Sequence, residues 1–121
     1  MHEKYKYKFR PGYGSANFLI EFFIYLPDSS FLNSFLDSLK PIEPTPIDTI
    51  DLFLNNGVGH NFNSTVGAFE VFMDIWGFVF VTSKLDQACI FKINELLKQD
   101  NRFELLDSDP NDYKLVTEAH S

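Results

Sequence analysis

Cysteine and histidine are scarce in this sequence, and their scarcity limits the chemistry that the chain can perform. The single cysteine, Cys89, excludes an intramolecular disulfide, and a chain without disulfides suits a reducing cytoplasm. The three histidines, His2, His60 and His120, are too dispersed for the spacing of a zinc site. We therefore expect no metal and no cofactor, and we expect Cys89 to be a small buried apolar residue.

Long uninterrupted apolar runs are also missing. The run Phe18–Leu26 has only nine residues and contains Glu21, and the run Val66–Val81 is broken by acidic residues and glycine. A membrane-spanning helix needs about 20 apolar residues, so neither run is long enough. The N-terminal residues MHEKYKYKFR lack the apolar segment of a secretory signal. We expect a cytoplasmic protein that does not bind membranes.

Positive charge is nearly absent from the middle of the chain. Residues 11–83 contain eight Asp and Glu but only one Lys or Arg, Lys40, whereas residues 1–10 contain four Lys and Arg and one Glu. The net charge of the whole chain is −7. An acidic surface repels a phosphate backbone and attracts a basic protein, so we expect a basic protein partner and no nucleic acid. The alternative is that the acidity only keeps a chain with 14 phenylalanines soluble.

The most apolar stretch is Ala68–Ser83, AFEVFMDIWGFVFVTS, and it predicts the centre of the fold. Two alternating segments flank the residues Asp74-Ile75-Trp76-Gly77, in which Asp at the first position and Gly at the fourth are typical of a type I turn. We therefore predict a β-hairpin at the centre of a sheet. With 121 residues the chain suffices for one domain, residues 1–121, with a core that needs no disulfide.

The remaining segments predict an α+β domain. Apolar residues recur at helical spacing in two segments and at alternating positions elsewhere, which gives the order ββαβββαββ. This order predicts a largely antiparallel sheet of six to seven strands, with two amphipathic helices over one face. The other face is left for solvent or for a partner. The predicted strands are 4–10, 17–26, 47–55, the two arms of the hairpin, and two strands within 103–118; the helices span 29–39 and the residues from Ser83 to Lys98.

Three packing expectations accompany this order. The Gly- and Asn-rich residues 56–64, NGVGHNFNS, are predicted to form a loop. Ile50 is expected to point into the core. In the first hairpin we expect Phe9 opposite Phe18, which places Lys6 opposite Glu21 and makes Glu21 an ion-pair partner rather than a catalytic carboxylate.

No motif for catalysis stands out. His60 lies in the predicted loop Gly57–Asn61, but a catalytic histidine needs a nucleophile, an orienting carboxylate or a metal, and no second internal histidine exists. The residues Asp107, Asp109 and Asp112 lack the glycine and the final glutamate of a calcium loop and are expected to be turn residues. We therefore expect no enzymatic activity. The alternative is a small enzyme or ligand-binding domain that uses this loop and His60 with Tyr13 or Asp51.

Binding is the function that the pattern favours. Glu70 and Asp74 share a face of the predicted strand with Phe72, and Trp76 lies at the turn, so acidic groups adjoin aromatic groups. In protein interfaces aromatic side chains anchor the partner and charges steer it. The alternative is that Phe72 and Trp76 are core residues beneath a helix. The predicted partner-binding residues are Glu43, Asp48, Asp51, His60, Glu70, Phe72, Asp74 and Trp76.

The segment GAFEVFMDIWGFVFVTS, followed by an amphipathic helix and RFELLD, resembles the strand–turn–strand–helix–strand segment of bacterial immunity proteins. These proteins neutralise polymorphic toxins, including those of contact-dependent growth inhibition, and the likeness covers residues 67–121. The resemblance implies a non-enzymatic, stoichiometric inhibitor that binds a toxin domain, often a basic nuclease, and occludes its active site. Such families share no binding motif, so the resemblance identifies no contact residue. A self-associating adaptor is a further alternative, and the sequence predicts no oligomeric state.

Overall fold

The computed structural model describes residues 4–11, 17–24, 29–52, 57–83 and 87–106. Within these ranges the chain forms seven strands, two α-helices and one 3-10 turn. In chain order they are β1 (Tyr5–Pro11), β2 (Phe18–Phe23), α1 (Ser29–Ser38), the 3-10 turn (Lys40–Ile42), β3 (Thr45–Leu52), β4 (Gly57–Asn63), β5 (Phe69–Asp74), β6 (Phe78–Thr82), α2 (Gln87–Lys98) and β7 (Phe103–Leu105).

The seven strands form one sheet in the order β3-β4-β5-β6-β2-β1-β7. Every neighbouring pair is antiparallel except β1 and β7, which are parallel. The predicted α+β class with a largely antiparallel sheet is confirmed. The hairpin of β5 and β6 holds the middle of the sheet, as the apolar stretch Ala68–Ser83 predicts. No helix in the described ranges is both long and apolar enough to cross a membrane.

Both helices cover the same face of the sheet, and the core lies between them. Alternate strand residues, such as Phe22 on β2 and Val81 on β6, are fully buried there. The ring of Phe22 contacts the rings of Phe31 and Phe35 of α1 at centroid distances of 5.0 and 6.1 Å. Burial of each such side chain contributes about 1.5–3 kcal/mol. The buried face of α2 consists of Cys89, Ile90, Ile93, Leu96 and Leu97, as its spacing predicts, together with Asn94.

Helical spacing predicts Asn94 on the polar, solvent-facing side of α2, and the structure corrects this prediction. Its side chain is buried because the hydroxyl group of Tyr7, in the adjacent strand β1, donates a hydrogen bond of 2.9 Å to Asn94 Oδ1. A buried amide is tolerated when its polar atoms are paired. Helical spacing alone could not have identified this partner, because Tyr7 lies 87 positions earlier in the chain.

The register of the first hairpin differs from the expected one by two residues. Phe9 lies opposite Ile20 and Lys8 lies opposite Glu21. A shift of two leaves every side chain on its expected face, because strand side chains alternate with a period of two. The expected ion pair of Glu21 is present, but its partner is the buried Arg10, whose Nε donates to Glu21 Oε1 at 2.8 Å.

The predicted loop at 56–64 is wrong, because residues 57–63 form β4 inside the sheet. This strand pairs with β3 on one side and β5 on the other. One of its glycines serves close packing: a Cβ atom added to Gly57 would lie 2.5 Å from Cζ of Phe72. Glycine in a strand interior marks such a close approach of another group. Composition suggested a loop, but the ring of Phe72 needs the space that Gly57 leaves.

The strand β3 lies at the edge of the sheet, and this corrects the expected position of Ile50. Ile50 is 42% exposed rather than buried. The register of β3 against β4 shifts between Pro46 and Asp48, which is a β-bulge. Bulges, proline and acidic residues are the usual features that protect an edge strand from pairing with other chains.

Several predictions fall outside the described residues. They concern the loop residues 12–16 with Tyr13, the residues Lys84–Asp86 at the start of the second helix, and the residues 107–121 with the acidic turn and the last predicted strand. The side chain of Asp51 also lies outside the described part, although its backbone pairs with Val58 in the β3–β4 ladder.

Candidate functional site

The face of the sheet opposite the two helices is the candidate site, and we call it the open face. Its residues alternate with the core residues of each strand, and their positions follow from the register. No described helix or loop covers it. The residues of the open face include Asp48 and Ile50 of β3, Gly59 and Asn61 of β4, Glu70, Phe72 and Asp74 of β5, Phe78, Phe80 and Thr82 of β6, Glu21 and Phe23 of β2, and Lys6, Lys8 and Arg10 of β1.

Four phenylalanines form an aromatic stripe across β5, β6 and β2. Phe72 lies opposite Phe80, and Phe78 lies opposite Phe23. The rings of Phe23 and Phe78 meet edge to face at 5.0 Å, and those of Phe78 and Phe80 stack at 5.9 Å. Phe23 is 61% exposed, and the other three rings are half-buried. A contiguous, partly exposed apolar patch marks an interaction surface more often than an isolated exposed residue does.

The turn between β5 and β6 presents a tryptophan at the end of this stripe. Asp74 Oδ1 accepts hydrogen bonds from the backbone N–H groups of Trp76 and Phe78, at 2.9 and 2.8 Å. Gly77 has φ +96°, and a Cβ atom there would lie 2.6 Å from the carbonyl oxygen of Ile24. Trp76 is 60% exposed, so it is not a core residue beneath a helix. The turn is the predicted one, and its geometry depends on Asp74.

Two of the predicted acidic residues, Asp48 and Glu70, lie on the β3–β5 side of the stripe. Asp48 and Glu70 lie on either side of Asn61 in the ladder, and the amide nitrogen of Asn61 donates to Asp48 Oδ1 at 2.7 Å. Glu43 is exposed just before β3, with φ +52°. No Lys or Arg occurs in the sequence between Lys40 and Lys84, so no cation from these strands offsets the carboxylates.

The other side of the open face carries Lys6 and Lys8 of β1, as the alternation of residues 4–10 predicts. Arg10 is paired with Glu21, and Glu104 of β7 lies opposite Lys6. Sequence reasoning missed the stripe of Phe23, Phe78 and Phe80. The alternation in FVFVT places Phe78 and Phe80 on the face opposite the valines, so the sequence could have shown that these two rings share a face. It could not have shown that Phe23 joins them, because that depends on β2 lying beside β6.

His60 lies apart from these residues. It is half-buried on the helix-side face of β4, opposite Val71, and its Nδ1 is 3.1 Å from Thr49 Oγ1. The structure therefore separates His60 from Glu70, Phe72 and Asp74, which share the open face. The alternative function placed His60 in a loop with Tyr13 or Asp51; residues 57–61 form a paired strand instead, while Tyr13 and the side chain of Asp51 lie outside the described residues. Within the described residues no group of three or more His, Cys, Asp or Glu could hold a metal ion.

The sequence matches no family model, and no curated protein or solved structure is significantly similar to it.

Proposed function

We propose that this protein is a non-enzymatic immunity protein that neutralises a basic toxin domain by binding it through the open face. The observation that carries the proposal is the combination of an aromatic stripe with carboxylates on one uncovered sheet face of the described chain. The separation of His60 from Glu70, Phe72 and Asp74 supports binding rather than catalysis. The strand–turn–strand–helix–strand resemblance supplies the class of partner.

The two kinds of residue have different roles in this proposal. Phe23, Phe72 and Trp76 anchor the partner, since buried aromatic side chains can each contribute about 2 kcal/mol or more to binding. Glu70 and Asp48 attract a basic surface and speed up the encounter. The resemblance favours a nuclease. A nuclease carries cations that bind phosphates, and an acidic sheet face competes with nucleic acid for them.

The complex forms in the cytoplasm, where a toxin that enters the cell would act. A chain with one cysteine needs no oxidising compartment for its folding. Inhibition is stoichiometric, because the protein remains bound and converts nothing.

A titration tests the proposal. A candidate toxin domain is sought among the products of the neighbouring genes and purified, and its activity is measured against increasing amounts of this protein. We expect inhibition to rise linearly with the molar ratio until the toxin is saturated, and a stable complex in size-exclusion chromatography. Complete inhibition by a small fraction of an equivalent would show turnover and contradict the proposal, as would full toxin activity at molar excess.

A further inference from the structure

A groove with a volume of about 570 Å³ lies at one end of the open face, between the edge strand β3 and the connection that follows β4. Its apolar lining includes Ile47, Ala68 and Phe69, and its polar lining includes Asp48, Asn61 and Glu70. The volume lies in the range of sites that receive a ligand or a side chain. The groove therefore combines apolar walls with two carboxylates.

The two carboxylates differ in how they are held. Asp48 is positioned by the hydrogen bond from Asn61. The side-chain carboxylate of Glu70 makes no hydrogen bond or ion pair with any other described residue, and Glu70 is half-buried beside Asn61. A half-buried carboxylate in a partly apolar groove is stabilised when a cation enters with its own hydrogen-bond donors.

We propose that this groove receives an arginine side chain of the protein partner, with Glu70 as the principal carboxylate and Asp48 as the second. This inference deepens the proposed function and rests on it for the nature of the partner. Arginine fits better than lysine, because its planar guanidinium binds carboxylates through paired hydrogen bonds and is less strongly hydrated than an ammonium group. Its aliphatic stem contacts the apolar walls.

A second copy of this chain does not supply the arginine. The sequence contains only two arginines, Arg10 and Arg102. Arg10 is buried against Glu21, and Arg102 forms ion pairs with Asp37 and Asp100. Charge also opposes self-association here, because two copies would bring their acidic edge strands together.

The test uses a capped pentapeptide, Gly-Gly-Arg-Gly-Gly, and the same peptide with citrulline in place of arginine. Citrulline keeps the shape and removes the charge. Each peptide is titrated into the ¹⁵N-labelled protein, and amide chemical shifts are followed. We expect saturable shifts at Asn61, Ala68 and Glu70 with a dissociation constant in the millimolar range, at least about tenfold weaker for citrulline.

Glu70→Gln tests the role of the carboxylate, because it preserves the shape of the side chain. We expect about five- to tenfold weaker binding of the arginine peptide. Glu95→Gln, on the exposed side of α2, is the matched control and should leave binding unchanged. Unchanged shifts in the rest of the protein establish that each variant is folded.

Four results would overturn the inference. The first three are equal binding of the citrulline peptide, an affinity unaffected by Glu70→Gln, and peptide shifts confined to other surfaces. The fourth is a shift of the groove amides that depends only on protein concentration, which would point to a second copy. The proposed function fails separately. If the protein inhibits the toxin but does not bind the arginine peptide, only the inference about the groove is contradicted. If it binds the peptide but does not inhibit the toxin, only the proposed function is contradicted.

Discussion

Tyr7 carries a hydroxyl group into the centre of the core, between β1 and α2. Its side chain is almost completely buried, and the hydroxyl donates to Asn94 Oδ1. Burial raises the pKa of Tyr7 to about 12, because the phenolate would lose its hydration. The neutral, hydrogen-bonded form is therefore the one that the folded state holds.

We predict that Tyr7→Phe lowers the free energy of unfolding by about 1–2 kcal/mol, because Asn94 then keeps a buried acceptor without its donor. The measurement is chemical denaturation near neutral pH. Tyr5→Phe is the control, since the ring of Tyr5 packs against Phe31 and Phe103 and its hydroxyl makes no hydrogen bond with another described residue. An equal loss in both variants would contradict this role of Tyr7.

The same residue predicts the behaviour in alkali. A raised pKa means that the unfolded chain releases the phenolic proton first, so the contribution of Tyr7 to stability is full below about pH 10 and declines as the pH rises to about 12. Stability measured across this interval should fall more steeply in the parent protein than in Tyr7→Phe.

At the scale of single elements, the candidate residue Asp74 has a structural role in the β5–β6 turn. Asp74 Oδ1 accepts two backbone hydrogen bonds within the turn. Replacing Asp74 by Lys would therefore remove the turn's acceptor as well as a charge, and we expect the thermal midpoint to fall. Replacing Glu70 by Lys should weaken binding and leave the thermal midpoint nearly unchanged, because the carboxylate of Glu70 has no such structural contact with another described residue.

We predict that Asp74→Asn retains the stability of the protein, because the amide oxygen can accept the same two hydrogen bonds. Asp74→Ala should lower the free energy of unfolding by about 1–2 kcal/mol, because the two N–H groups lose their acceptor. Thermal unfolding of the three proteins distinguishes these outcomes. Similar midpoints for Asp74→Ala and the parent would refute the structural role of Asp74. Asp74→Asn, which removes only the charge, is the variant to use when the contribution of that charge to binding is measured.

A network of ion pairs joins the end of α1 to the residues before β7. Asp37 contacts Lys40 at 2.8 Å and Arg102 at 2.9 Å, and Arg102 also contacts Asp100. The hydrogen bond from Lys40, and then that from Arg102, hold the pKa of Asp37 below 3.8. The hydrogen bond from Arg102 likewise lowers the pKa of Asp100. The ion pair between Asp37 and Arg102 links α1 to the segment that leads into the edge strand β7.

Because both pKa values are depressed in the folded state, the network contributes stability above the ordinary pKa of an aspartate and loses it as the pH falls through the folded values. We predict that Arg102→Met flattens the decline of stability below about pH 4. Denaturation midpoints at a series of acidic pH values measure this slope. Lys92→Met, which removes the cation of an exposed helical pair, is the control and should keep the steeper slope of the parent.

At the scale of the whole molecule, charge is uneven across the open face. Asp48 and Glu70 lie on its β3–β5 side, where the strands contain no Lys or Arg. Lys6 and Lys8 of β1 lie on the other side, where Glu21 is paired with Arg10 and Glu104 lies opposite Lys6. A basic partner is attracted more strongly to the β3–β5 side than to the β1 side. The orientation of the partner on the sheet is therefore constrained before any contact forms.

We predict that the association rate constant for the toxin domain falls about tenfold between about 50 and about 500 mM salt, because mobile ions screen the attraction. Variants at the two sides should act in opposite directions: Glu70→Gln slows association, and Lys6→Gln accelerates it by removing a repelling charge. Stopped-flow or surface plasmon resonance kinetics provide the rates. An association rate constant that does not change with salt concentration would refute the electrostatic part of the proposed function.

The sequence by itself determined the elements whose signals are local. The hairpin Ala68–Ser83, its turn at Asp74 and the buried face of α2 follow from alternation, turn chemistry and helical spacing, which depend on neighbours a few residues apart. The two-sided character of β5 also followed, so Glu70, Phe72 and Asp74 were correctly expected to share one face.

Only the tertiary structure decided which strands are neighbours, and the site depends on that choice. β4 has the composition of a loop and becomes a strand because β3 and β5 satisfy its backbone, while Gly57 makes room for Phe72. Phe23 joins Phe78 only because β2 lies beside β6. Such pairings join residues far apart in the chain, and their energy comes from contacts that no local pattern encodes.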